Sequence, residues 1–565
     1  MWGLRPPFFL DDGIMKADRV TKNQTIDNKR FRRLPKLLEK KQWEEAEPLF
    51  DEFVAERSAD LVGYNNFVSY ARLKFHRGNN VDAEKAAMLA ISVDEYRVEA
   101  PEFLLELYMK QKLFSKALAV ADKLLAVAPS CVEYKLNRLT VLSNLHQSDN
   151  VIEEWRQIEQ VDVEAANRPS VQHTVLNALL SDGRIDEASL FFKDFKSKNP
   201  EWSAWLALSE PHILVGEGRY RDAIDSLTES MKKDPSNPVW QWNRSLIRLS
   251  SGDLKAGWED YEIRWSWDDF PSPKRNLNLP LWTGEDLKDR SIVISAEQGL
   301  GDQIMFSSIL ASLVPMRPAK VRVEVQDKIV PLFETWYPEF EIAAWKNDES
   351  IDADLERSFD FHCPMATVCG NLMTDNNSIV QLPRRRIRIS EHEKRDILGD
   401  FFDQYDIRIG LAWRSSAIDG ERVSQYMNVN MCDSIIRSLP DSVGFVVVQY
   451  KLDERERDVL AKYPNVFLPV VDLFDDVLMN GKYCATCDVV VSPATAVVQL
   501  SGLFGVPCIT WGAESSWVTL GCDQPPWFAG VHRLKHKPNM AKGEMVHNLS
   551  SILRAALPET VHRAE

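Results

Sequence analysis

A chain of 565 residues is too long for one hydrophobic core, so several domains are expected. Hydrophobic residues make up 44% and charged residues 27%, with 17 Trp and 25 Phe, which excludes a disordered or low-complexity polymer. Lys plus Arg number 68 against 84 Asp plus Glu, and the resulting charge of -16 argues against bulk binding of nucleic acid or anionic membrane, so an anionic ligand needs a local site. Residues 1–28 read as an N-terminal extension in which Arg5, Asp11, Asp12 and Lys16 leave no uninterrupted apolar stretch for a signal peptide. Eight cysteines over this length are too sparse for a disulfide scaffold, so a reducing, cytoplasmic setting is expected.

From residue 29 to 267 a small or apolar residue recurs on helix-forming segments. The anchors are Ala46, Ala83, Ala117, Val151, Ala188, Ala223 and Ala256, spaced 37, 34, 34, 37, 35 and 33 residues apart. That period is close to the roughly 34 residues of a tetratricopeptide repeat. Small residues at such positions let the two helices of a hairpin approach closely. Gly78, Gly183, Gly218 and Gly252 fall in the turns, and Pro129, Pro200 and Pro235 fall where second helices end. The concave face of such an array suits an extended segment of a protein partner; the other reading is a scaffold that only supports the rest of the chain.

Residues 268–290, which contain Pro271 and Pro280, read as a linker. Beyond it, strand-like and helix-like segments alternate, the pattern of parallel βαβ units. In residues 291–390 strands are predicted at Ile292–Ser295, Val321–Val325, Phe340–Ala344 and Phe359–His362. In residues 391–565 they are predicted at Ile407–Trp413, Gly444–Gln449, Val466–Val471, Val489–Ser492 and Cys508–Trp511, before a C-terminal helix. The uncharged stretch Val489–Ala513 is divided by Pro493, Gly502, Gly505 and Pro507, and reads as strand, helix and strand, not as a membrane span. The expected fold is therefore an α solenoid followed by two Rossmann-like α/β domains, each half with its own core. A cleft should face the carboxyl ends of the strands.

Two strand-turn-helix motifs carry the chemistry. In SAEQGLGD, Gly299 and Gly301 permit close backbone approach, and the following helix start offers free amides to an anion. Asp302 is either a proton acceptor for an attacking hydroxyl or an ordinary helix cap. In CDVVVSPATAVVQ, Ser492 and Thr495 place hydroxyls, and the turn places amides, where a diphosphate would dock; Pro493 and Thr495 also suit a plain turn and helix start.

In order, AGWEDYEIRW, LWTGEDL, EQGLGD with IMF, GLAWRSS, SPATAVVQLSGLFGVP and PPWF resemble the bacterial tetratricopeptide-repeat glycosyltransferases. Their catalytic half is similar to the heptosyltransferase-like GT-B enzymes, and some members modify flagellin. The resemblance implies an acceptor domain over 291–390 and a nucleotide-sugar domain over 391–565. It implies Asp302 as general base, with Gln298, Gly299 and Gly301 forming the acceptor-side turn. It further implies Trp413, Arg414, Ser492, Thr495 and Ala496 on the donor side, and neither an obligatory metal nor a cofactor beyond the nucleotide-sugar substrate. Where heptosyltransferases commonly read Asp-Thr with a His four residues after the Thr, this chain has Ala494-Thr495 and Gln499, whose amide can still hydrogen-bond a phosphate or ribose. The expected partners are a nucleotide-sugar and a protein acceptor, flagellin or similar, held by the repeats. The competing class is a non-catalytic adaptor with a degenerate GT-B half.

Four other features have plain structural readings. Cys484 and Cys487 lack a second pair at zinc spacing and read as core. Asp352 and Asp354 read as acidic surface, Arg384 to Arg386 as a solvated linker in preference to an anion site, and Trp511 and Trp517 as core aromatics or stacking platforms.

Overall fold

The computed structural model describes residues 64–199, 208–268, 270–345, 353–415, 425–512, 516–535 and 542–556, with a few positions between 37 and 49. The N-terminal extension, Ala46, Pro200 and Asp352 lie outside the described residues. The chain divides into two compact units between Ser181 and Asp182.

In the first unit, three helix hairpins follow one another: Tyr64–His76 with Asn80–Val93, Glu99–Lys110 with Phe114–Val127, and Val132–Asn144 with Ser148–Val161. The helix Pro169–Ser181 ends the unit. Ala83, Ala117 and Val151 are fully buried, as close helix approach requires. The hairpin turns share one backbone solution, a residue in the left-handed region followed by an amide that bonds back to the carbonyl five residues earlier. Gly78 takes that conformation in the first turn, whereas Lys112 (φ 58°) and His146 (φ 53°) take it in the next two. The closing bonds run from Asn79 N to Lys74 O, Leu113 N to Tyr108 O and Gln147 N to Leu142 O, satisfying carbonyls that the helix end leaves free.

The second unit begins with the helices Ile185–Lys198, Ser209–Gly216, Tyr220–Lys233, Pro238–Ser251 and Leu254–Tyr261. Ala188 and Ala223 are buried as expected, but Ala256 is only half-buried. Its neighbour Gly257 is the small contact residue, since a Cβ there would lie 2.9 Å from Leu249 Cδ2. Arg244 and Arg248 both pair with Asp260 across this last hairpin, at 2.7 and 2.8 Å.

Two fully parallel sheets follow. Strands β1 (Ser291–Ser295), β2 (Lys320–Val325), β3 (Glu341–Ala344) and β4 (Phe361–Pro364) are ordered β3-β2-β1-β4. Strands β5 (Ile407–Leu411), β6 (Val443–Val447), β7 (Val466–Phe467), β8 (Val489–Val491), β9 (Cys508–Gly512) and β10 (Val531–Lys535) are ordered β10-β9-β8-β5-β6-β7. Burial on both faces suits their near-continuous apolar sequences, such as Ile292–Ile294 and Val443–Val447. Strand β7 stops short of the expected Val471, and Pro469, which has no amide for the ladder, lies just beyond it. Strand β10 was not anticipated; it extends the sheet beside β9.

The expectation of separate cores is corrected. Trp242, Leu249, Leu254, Trp258 and Tyr261 of the last repeat hairpin belong to one continuous core with Ile292, Phe306, Val368 and Trp527 of the α/β half. A Cβ on Gly370 would lie 3.1 Å from Trp258 Cβ, which leaves room for glycine there. The arginine run is only in part a solvated linker, since Arg386 is exposed while Arg384 and Arg385 are half-buried. Arg384 donates to the carbonyls of Leu382, Ile379 and Pro526, Arg385 pairs with Glu339, and Arg386 donates to Ala529 O. These guanidinium groups are occupied in fastening the connection between the sheets.

Candidate functional site

Each sheet has one point where the strand order reverses, and ligands of open α/β sheets bind beyond the carboxyl ends of the strands there. In the first sheet the reversal lies between β1 and β4, in the second between β5 and β8. The motif SAEQGLGD leaves β1, GLAWR leaves β5 and SPAT leaves β8, so all three sequence motifs emerge at the reversals.

The first turn is held from outside. Gln298, a non-glycine residue, has φ 62°. Its amide N–H donates to Ser272 Oγ and its side-chain Nε2 to Tyr261 Oη. Glu297 beside it is fully buried and accepts from Arg264 Nε at 2.7 Å, Arg264 Nη2 at 3.3 Å and Ala366 N at 2.6 Å. Burial pushes the Glu297 carboxyl above its ordinary value, while the Arg264 guanidinium and these hydrogen bonds draw it back. Arg264, with no exposed surface, also donates to Glu262 and Thr367. The helix Leu300–Ser307 starts next, and half-buried Asp302 accepts the Gly299 N–H through Oδ2 at 3.2 Å. Behind the turn, Ser295 Oγ and His362 Nε2 are 2.9 Å apart. Burial, with Arg275 and Lys274 nearby, pushes the His362 imidazole down to about 4.

The second turn is held from within. Buried Ser492 donates through Oγ to Pro493 O at 2.9 Å and lies 3.1 Å from Thr495 Oγ1. Thr495 caps the helix Ala496–Leu503, its hydroxyl accepting the Val497 N–H at 3.3 Å. Gln499 is half-buried one helical turn further on. The two turns meet: a Cβ built on Gly301 would lie 3.3 Å from Ala496 Cα and 3.6 Å from its Cβ. Glycine at 301 is thus what lets the two helix starts touch.

Beside β5, β6 and β7 lies a cleft of about 460 Å³, lined by Arg414, Gln449, Lys451, Asp453, Arg457 and the loop Pro469–Leu473. Trp413 is fully buried, and its Nε1 donates to Glu456 Oε1 at 2.8 Å. Its main chain is engaged as well, the carbonyl accepting the Met427 N–H at 2.9 Å, so Trp413 is a core residue and not a donor contact as the resemblance implied. Arg414 borders the cleft and pairs with Glu456 at 2.6 Å. Gln449, unmarked by sequence reasoning, orders this loop by accepting the N–H groups of Trp413 at 2.9 Å and Arg414 at 3.0 Å. A polar residue closing the apolar strand segment GFVVVQ was the available signal. The Nζ atoms of Lys328, from the first α/β domain, and Lys451, from the second, lie 3.5 and 3.7 Å from the centroid of Phe474. Two ammonium groups that close to one centroid must take opposite faces of the ring.

Tyr261, Arg264 and Glu297 also escaped sequence reasoning, because their partners lie far off in the chain; a single cation within the aromatic run DYEIRWSW was their trace. Cys484 and Cys487 are buried, and burial raises both thiols, Cys484 to about 12. Asp354 lies in the short helix Ala353–Ser358. Among the described residues no three His, Cys, Asp or Glu side chains come together as a metal site. Trp511 is buried and donates to Gln425 O, while Trp517 is half-buried with its ring 6.1 Å from Tyr261. No described helix is long and apolar enough to cross a membrane.

In architecture the chain is an array of helix hairpins followed by two parallel α/β sheets. It is similar to Protein FlbA of Caulobacter vibrioides, at 25% identity over 424 residues that span 71% of this chain and 69% of FlbA. Among solved structures, the ADP-heptose LPS heptosyltransferase II of E. coli covers 47% of this chain and 99% of its own, with a TM-score of 0.36 and 14% identity. A glycosyl transferase family 9 protein from Veillonella parvula covers 49% and 100% (TM-score 0.35, 12% identity). A tetratricopeptide repeat protein from Parabacteroides merdae covers 42% and 93% (TM-score 0.34, 16% identity). No family model matches the chain.

Proposed function

We propose that this protein transfers a sugar from a nucleotide-activated donor to a hydroxyl of a protein acceptor held by the repeat array, flagellin being the candidate. The observation that carries the reading is the meeting of the two motif turns at Gly301 and Ala496; a cleft bordered by Arg414, Lys451 and Arg457 lies beyond the ends of β5 and β6. In this reading the Asp302 carboxylate takes the proton of the acceptor hydroxyl as its oxygen attacks the anomeric carbon. The bond from that carbon to the diphosphate breaks, with inversion. The nucleoside diphosphate leaves onto the amides that start the helix Ala496–Leu503 and onto the cations of the cleft. Charge on the leaving group is balanced by these protein groups, so the reading requires no metal and no further cofactor.

The test is a calorimetric titration with a panel of nucleotide-sugars, followed by intact-mass measurement of flagellin from cells with and without the protein. Donor binding together with a glycan mass that depends on Asp302 supports the reading. An unchanged flagellin mass removes flagellin as the acceptor, and absence of donor binding removes the transferase. The adaptor reading draws on Arg414, whose guanidinium Glu456 already engages, and on Gln499 in place of an imidazole. An adaptor keeps its protein partner while binding no nucleotide-sugar.

A further inference from the structure

The first turn holds a non-glycine residue, Gln298, in the left-handed region, which disfavours a side chain. Such a conformation persists only where its surroundings over-determine it. Here the determinants come from the end of the repeat array and from the linker that follows it. Tyr261 Oη accepts the Gln298 side-chain amide, and Ser272 Oγ accepts its main-chain amide. Arg264 grips the preceding Glu297 with two guanidinium nitrogens. Tyr261 is itself fixed, with its ring 4.9 Å from Trp242 and 5.3 Å from Trp258. The residue after Gln298 is Gly299, whose N–H is the one Asp302 accepts. A continuous path of hydrogen bonds and one peptide link thus runs from the Tyr261 hydroxyl to the Asp302 carboxylate.

We infer that Tyr261 and Arg264 are positioning residues that aim Asp302, so that the last repeat hairpin is part of the catalytic apparatus as well as of the docking array. The part of this inference that concerns turnover rests on the glycosyltransferase reading; the part that concerns the turn does not. A misplacement of about 1 Å at a reacting group costs up to ~10²-fold in rate. Loss of one of several restraints should therefore slow turnover about tenfold.

The test uses the full chain with Tyr261→Phe, Gln298→Leu and the double variant. Tyr261→Phe keeps the ring and its packing and removes only the acceptor oxygen. Amide hydrogen exchange at Gly299–Asp302 should accelerate about tenfold in Tyr261→Phe, with exchange in β1 and β5 unchanged. Turnover should fall about tenfold with donor affinity within twofold of wild type, and the double variant should be no slower than the worse single variant, because one acts through the other. Unchanged exchange at the turn overturns the inference, as does a double variant whose losses multiply. Failure of the wild-type protein to bind any nucleotide-sugar removes the transferase reading alone, and the exchange measurement still decides whether Tyr261 sets the turn.

Discussion

The two motif turns of the α/β half do similar topological work by opposite means. The side chains of the Ser492–Ala496 turn bond locally: its hydroxyls cap its own helix and bond its own carbonyl, all within three residues, and from outside the Ser492 N–H reaches Ile509 O on β9. The Glu297–Asp302 turn is held by Tyr261, Arg264 and Ser272, 26 to 37 residues upstream, and by Ala366 downstream. The difference teaches that two strand-turn-helix motifs of equal clarity in sequence can differ in what they depend on. A local turn should respond only to substitutions within itself, and a braced turn to substitutions in its braces.

The sharpest way to break this contrast is Arg264→Ala, which strands a buried carboxylate at Glu297. Removing one member of a buried pair typically costs about 3–5 kcal/mol, and chemical denaturation should register a loss of that size. A loss below about 1 kcal/mol would show the turn to be as local as its counterpart. Next in size is a pH effect behind the first turn. The folded His362 value of about 4 lies below the unfolded 6.5, so the unfolded chain binds the proton more readily. Its contribution is complete above pH 6.5 and is lost as the pH falls towards 4, a change of about 3 kcal/mol. Denaturation of His362→Gln across pH 4.5 to 7.5 should lack that component; identical profiles would exclude it.

Asp302→Asn keeps an oxygen for the Gly299 N–H and removes the basicity, so turnover should drop by ~10²-fold or more with the melting temperature nearly unchanged. Wild-type turnover in that variant would end the base assignment. In the second turn, Thr495→Val removes a cap worth about 1 kcal/mol, and thermal melts should show that loss while hydrogen exchange at Gly299–Asp302 stays put. The smallest effect compares left-handed residues. Lys112 stands in a hairpin turn closed by the bond from Leu113 N to Tyr108 O, so Lys112→Gly should stabilise by about 0.5 kcal/mol once the added freedom of the unfolded chain is subtracted. Gln298→Gly should instead destabilise, because it also forfeits the bond to Tyr261.

Much of this architecture was legible in the sequence because it is periodic or continuous. The repeat anchors stand out by their spacing, and the buried parallel strands read as runs such as SIVIS and GFVVV. Strand β10 did not stand out: VHRLK mixes apolar and charged residues at the sheet edge and carries no continuous run. Ala256 and Gly257 are adjacent small residues, and only the packing of Leu249 decides which of them faces the partner helix. At the candidate site, strand-turn-helix grammar marked Asp302, Gly301 and Thr495 and the loop at Arg414. It could not foresee that the Trp413 indole turns inward to Glu456, because that depends on a residue 43 positions away. For the same reason the bracing of Gln298 was invisible, as was the shared core that denies the repeats a separate end near Pro271.

That shared core bears on how the chain is made. The ring of Tyr261 rests near Trp517, and a Cβ on Gly521 would collide with Gly252, so the hairpin finds its final neighbours about 250 residues later in the chain. At a synthesis rate of about 5–20 residues per second, its aromatic face waits on the ribosome for roughly 10 to 50 s. A nascent chain whose last hairpin lacks its neighbours Trp517 and Gly521 for that long is a natural client of holding chaperones, and the yield of folded protein should depend on them more steeply than that of the repeats expressed alone.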